Sequence, residues 1–144
     1  MTPKEESEAL LRELLPFAKT MLHDYGEFHP FGGMLKHDGE IVHIGATTGE
    51  DMSPADSLVE IMVDNFRRAA REKAIKAAAI VLNVTVIVPS TSVKSDAIEV
   101  RIDHRDGYSA NVFFPYRSTD DQGILYEAAF ASRGNSLIFG TDRG

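Results

Sequence analysis

Four of the five histidines, His23, His29, His37 and His43, fall within one short stretch beside Asp24, Glu27, Asp38 and Glu40. Imidazole and carboxylate are the ligands that zinc and other divalent ions take. Spacing argues against a shared ion. Asp38-Gly39 lies between two short apolar runs, which predicts a hairpin. His37 then sits at the turn and His43 lies opposite Gly33 or Met34. Three to four residues of strand separate the two rings, about 10–13 Å at ~3.3 Å per residue. No His-Glu-x-x-His run exists, and the chain has no cysteine to supply a thiolate. The expectation is surface or capping histidines, no metal and no cofactor.

Other chemistry fares no better. Serine hydrolysis needs a nucleophile placed beside a base. Ser92 and Ser95 fall in a predicted loop, Ser109 on the outer face of a predicted strand, and none stands in Gly-x-Ser-x-Gly. Asp103-His104 near Tyr108 is the best acid–base candidate, and it also reads as an ordinary contact beside a turn. Gly32-Gly33 and Gly45-Ala46-Thr47-Thr48-Gly49 lack the Gly-Lys-Ser/Thr of a phosphate loop, and the second runs into acids that repel phosphate. No catalytic residue is assigned. Pro30-Phe31-Gly32-Gly33 resembles the lead-in to the first strand of cytidine deaminases. That family needs a zinc-binding His or Cys followed by Ala-Glu at its second helix, then Pro-Cys-x-x-Cys. Here the second helix opens Ser53-Pro54-Ala55-Asp56, so the ligands for that chemistry are absent.

The charge balance narrows the partners. The 144 residues carry a formal net charge of −7, the wrong sign for affinity drawn from phosphates. Arg67, Arg68, Arg71, Lys73 and Lys76 form the one basic cluster, read here as the last turns of a helix, where cations complement the dipole. No nucleic acid is expected. The start, Met1-Thr2-Pro3-Lys4-Glu5-Glu6, is acidic where a secretory leader is basic. No apolar run approaches the ~18 residues of a membrane span. The expectation is a cytoplasmic protein that does not meet a membrane. At 43% hydrophobic, residues 1–144 suit one domain with its own core.

The elements that would position these residues follow from periodicity. Thr2-Pro3-Lys4-Glu5 is a helix start with a capping box. Leu10, Leu11, Leu14, Leu15, Ala18, Met21 and Leu22 then recur at helical spacing. Pro16 interrupts the stripe and predicts a kink or two short helices. Gly26 predicts the stop. A second helix from Ser53-Pro54 buries Leu58, Ile61, Met62, Phe66 and Ala69 and ends near Lys76. Ala77 to Val88 follows as a strand. Ile98, Val100 and Ile102 alternate with Glu99, Arg101 and Asp103, and Tyr108, Ala110, Val112 and Phe114 alternate after Arg105-Asp106-Gly107. A three-residue loop with Gly107 left-handed pairs Ile102 with Ala110, Val100 with Val112 and Ile98 with Phe114, which makes one whole face apolar. Ile124 to Ala131 reads as strand or helix, and Leu137-Ile138-Phe139 as a short last strand.

The expected fold is α+β: a single antiparallel sheet of about five to six strands, two helices packed on one face, in the order α-β-β-α-β-β-β-β. That order is similar to the roadblock, longin and profilin-like families, although the terminal helix of roadblock proteins is missing. With both helices on the face of Ile98, Val100 and Ile102, the opposite face holds Glu99, Arg101, Asn111 and Phe113, with Val81, Thr85 and Ile87 on the central strand. Polar and apolar residues mixed in this way suit a protein interface. The expected function is a non-enzymatic interaction or regulatory module, adaptor-like or immunity-like. Its partner is another protein or a second copy in a homodimer. The alternative is a small-molecule binder or enzyme with a pocket lined by Glu27, Phe28, His29 and Phe31.

Overall fold

The computed structural model describes residues 1–45 and 55–140. Among these described residues, two helices, α1 (Pro3–Tyr25) and α2 (Ala55–Arg71), accompany seven strands. These are β1 (Phe31–Lys36), β2 (Ile41–Gly45), β3 (Ile75–Val88), β4 (Val93–His104), β5 (Ser109–Thr119), β6 (Gly123–Tyr126) and β7 (Phe130–Arg133). The strands form one antiparallel sheet ordered β2-β1-β3-β4-β5-β6, with β7 pairing β5 beside β6. The α+β class and the single antiparallel sheet agree with the sequence. The extra strand arises because Ile124–Ala131 is interrupted: β6 pairs the second half of β5 and β7 its first half.

Local chemistry explains most element ends. Thr2 Oγ1 accepts from the Glu5 N–H, and Glu5 Oε1 accepts from the Thr2 N–H, both at 3.1 Å. This satisfies orphan donors at the start of α1. Gly26 closes the helix with φ 75° and donates to the Leu22 carbonyl. α1 runs unbroken through Pro16. Pro16 and Arg12 are both exposed, so water can serve the Arg12 carbonyl that the ring deprives of a donor. The helix start at Ser53-Pro54 and the loop Gly45 to Asp51 lie, but for Gly45, outside the described residues. α2 ends at Arg71, short of Lys76, and Lys73 takes a left-handed φ of 58° before β3 begins at Ile75. Arg67, Arg68 and Arg71 therefore end a helix, whereas Lys76 is a strand residue. Leu137–Phe139 is a turn and not a strand.

Register decides where the core sits. The loop 105–107 has three residues, with Gly107 at φ 101°, and pairs Ile102 with Ala110, Val100 with Val112 and Ile98 with Phe114. The central strand alternates between two cores. Ala77, Ala79 and Val81 pack with Leu10, Leu14, Ala18 and Leu22 of α1, while Ala78, Ile80 and Leu82 pack with Met62 and Phe66 of α2. The helices therefore lie on opposite faces of the sheet, which corrects the expectation of both on one face. β3 is apolar at consecutive positions from Ala77 to Leu82, the pattern of a strand buried on both sides.

Candidate binding surface

The β3–β4 register separates the seven residues that the sequence placed on one face. Val81 stands opposite Val100 and Leu82 opposite Glu99. Val81 is wholly buried under α1. Thr85 and Ile87 share its parity and lie exposed near the hairpin tip on the α1 side. Glu99, Arg101, Asn111 and Phe113 lie on the α2 side. The single face inferred for all seven is thus corrected to two. The error comes from one register step, because strand side chains alternate with a period of two.

The four residues on the α2 side do come together. Arg101 stands directly opposite Asn111 and Glu99 opposite Phe113. α2 lies over β1 and β3, so no helix among the described residues covers this part of β4 and β5. Glu99 is only 5% exposed and is held by its neighbour on the same face. Arg101 donates from Nε to Oε2 at 3.1 Å and from Nη2 to Oε1 at 3.3 Å. The ion pair compensates a carboxylate that would otherwise be costly at this depth. Phe113 pairs across the strands with Phe130 of β7, their rings stacked with centroids 4.9 Å apart and 14° between planes. Both rings remain half-buried. Phe130 belongs to this strip and was not singled out from the sequence. Its signal was weak because Glu127-Ala128-Ala129 before it permits helix as well as strand.

The chain after β7 borders the strip. Asp103 Oδ2 accepts from the backbone N–H groups of Ile138 and Phe139 at 2.9 and 2.8 Å. The Ser136 N–H donates to Ser109 Oγ, and Arg67 Nε donates to the Leu137 carbonyl at 2.6 Å. Ile138 is buried in the α2 core. Between this segment and the sheet lies a cavity of about 160 Å³, lined by Glu99, Arg101, Asn111, Ala78 and Ile80 on the sheet and by residues 135–138 above.

The remaining candidates are dispersed. Phe28 is buried in the α1 core and Phe31 packs edge-on to it, centroids 5.8 Å apart, while Glu27 and His29 are exposed. None of these four lines the cavity beside Arg101. Asp103 and His104 are adjacent on β4 and so point to opposite faces. His104, fully buried on the α1 side, accepts at Nδ1 from the Asp106 N–H at 3.0 Å. Its Nε2 therefore carries the proton and donates to Glu6 Oε1 at 3.0 Å. Glu6 also accepts from Lys76 Nζ at 2.8 Å. Lys76 holds the Glu6 carboxyl below the usual carboxylate range, against the upward push of burial, with His104 adding to the lowering. Three of the other histidines are separately engaged: His23 with Asp24, His37 with the Lys73 carbonyl and Arg105, and His43 with Glu13 and the Phe17 ring. Among the described residues, no three His, Asp or Glu side chains gather around a common point, and no helix is long and apolar enough to cross a membrane.

Fold and site define an α+β protein with one two-sided sheet and a mixed polar–aromatic strip beside its second helix. No protein-family model, curated protein or solved structure matches the chain.

Proposed function

We propose that this chain is a non-enzymatic interaction module that pairs with a second copy of itself through the stacked Phe113 and Phe130 rings on β5 and β7. The observation that carries the reading is the stacked Phe113–Phe130 pair, half-buried on a sheet face that no helix among the described residues covers. Aromatic anchors ringed by polar groups are the usual anatomy of a contact. Stacked aromatic rings on an uncovered sheet face can meet their own copies about a two-fold axis, as an isologous contact requires. A regulatory, adaptor-like or immunity-like role in the cytoplasm fits the acidic, cysteine-free composition. The use made of His104 favours a non-enzymatic role: both nitrogens of the best acid–base candidate are spent on internal hydrogen bonds.

Sedimentation velocity over roughly 1–500 μM spans the range in which a standard-size interface of about 1,200–2,000 Å² associates. A reversible dimer is expected for the wild type. Phe113→Asp should be monomeric while keeping its far-UV circular dichroism. A wild type that stays monomeric throughout, or a Phe113→Asp chain that dimerises as well as the parent, overturns the proposal.

A further inference from the structure

The cavity beside Arg101 holds a donor–acceptor set that the internal contacts leave half used. Glu99 grips one edge of the guanidinium, through Nε and Nη2. The other edge, Nη1 and the second N–H of Nη2, has no partner among the described residues. Two parallel N–H groups of this kind match a carboxylate. Asn111, opposite Arg101 in register, presents an amide whose oxygen and nitrogen are likewise without partners among the described residues. Each Glu99 oxygen accepts one bond from Arg101 and keeps acceptor capacity. Ala78 and Ile80 give the cavity an apolar floor.

Charge selects the ligand. A simple anion would face Glu99 and Asp103, both buried in the cavity wall. A simple cation would face Arg101, with Arg67 just behind residue 137. A molecule carrying both charges offsets both conflicts. The volume of about 160 Å³ has room for several waters, or for one small aliphatic amino acid.

We infer that this cavity is a binding site for a free α-amino acid of about the size of valine. Its carboxylate lies on the open edge of Arg101, its ammonium between Glu99 and the Asn111 side-chain oxygen, and its side chain over Ala78 and Ile80. The site does not depend on self-association.

Titration calorimetry of the full chain with L-valine tests it, with isobutylamine (no carboxylate) and 3-methylbutanoate (no ammonium) as controls. Side-chain amide resonances are followed in parallel by NMR. The expected result is a one-to-one isotherm with a Kd of about 1 mM or below and binding at least about tenfold weaker for each control. The Asn111 side-chain amide should shift on titration. Arg101→Lys and Asn111→Ala should each weaken valine at least about tenfold, since each removes a hydrogen bond to a charged group. Asn111→Ala should melt like the wild type, so it decides the matter if Arg101→Lys fails to fold. No heat and no shift up to about 20 mM valine, far above the affinity range expected of a specific site, overturns the inference. So does equal binding of either control. Sedimentation of the same samples separates the two proposals: a monomer that binds valine removes the dimer alone, and a dimer that does not removes the cavity alone.

Discussion

Glu6 shows what a single side chain does in this fold. It receives Lys76 from β3 and His104 from β4, so it fastens the first turn of α1 to the end of the sheet. Its carboxylate is 16% exposed, and Lys76 is the main cause of its lowered pKa. A carboxyl whose pKa is lower folded than unfolded gives stability that is complete above the unfolded value, ~4.3 for Glu. That stability is lost as pH falls through the folded value. Melting temperature should therefore drop between pH 6 and pH 3. Glu6→Gln should lower stability at pH 6 by about 2 kcal/mol, since it leaves Lys76 without its charge partner. The variant should also show a shallower acid slope. Thermal melts of both proteins across this range check the claim, and parallel profiles would count against it. None of this pairing was legible in the sequence. Glu6 and His104 are 98 residues apart, and Glu6 reads there as one more acid in a helix's first turn.

At the scale of elements, two glycine sites do different work. Gly32 and Gly33 lie on β1 between the two helices. A Cβ on Gly32 would collide with the Ala79 carbonyl oxygen and come within 3.2 Å of the Phe66 ring under α2. On Gly33 it would lie 2.9 Å from Leu14 Cδ2 of α1. Gly107 has open space around it, and only its positive φ restricts it. Gly32→Ala should therefore destabilise by about 2–4 kcal/mol through overpacking. Gly107→Val should cost about 1–2 kcal/mol through left-handed strain. Urea denaturation would rank them, and a Gly32→Ala protein as stable as the parent would mean that β1 can move away from β3. Gly107 was legible because one hairpin register alone makes Ile98, Val100 and Ile102 share a face with Ala110, Val112 and Phe114. The α1 cap was legible because a capping box is a contact within four residues. Phe130 and the turn at Leu137–Phe139 were not, because a turn anchored by Asp103 from 35 residues away leaves no local signature.

For the molecule as a whole, the decisive fact is that the sheet is sandwiched. The alternation of β4 and β5 suggested one wet face, but Glu99 and Asp103 on that face are each only 5% exposed. β3 contradicts it, since six consecutive apolar residues from Ala77 to Leu82 need cover on both sides. With α1 on one side and α2 on the other, the open area shrinks to the strip over β4, β5 and β7. The chain from Gly134 to Gly140 forms its border. That segment lacks regular structure apart from a turn and is tied to the sheet mainly through Asp103, Ser109 and buried Ile138. Hydrogen bonds to a charged acceptor are worth about 1.5–3 kcal/mol each, and Asp103 accepts two of them from this segment. Asp103→Ala should thus loosen the segment before the sheet. Amide exchange at Ile138 and Phe139 should accelerate by about tenfold or more, while the amides of β3 keep their protection, as expected for opening of a local unit. Affinity for valine should fall in the same variant, because the roof of the cavity is the segment that has been released. Acceleration spread evenly over α1, α2 and β3 would instead mean that Asp103 supports the whole fold, and that the cavity has no separately anchored roof.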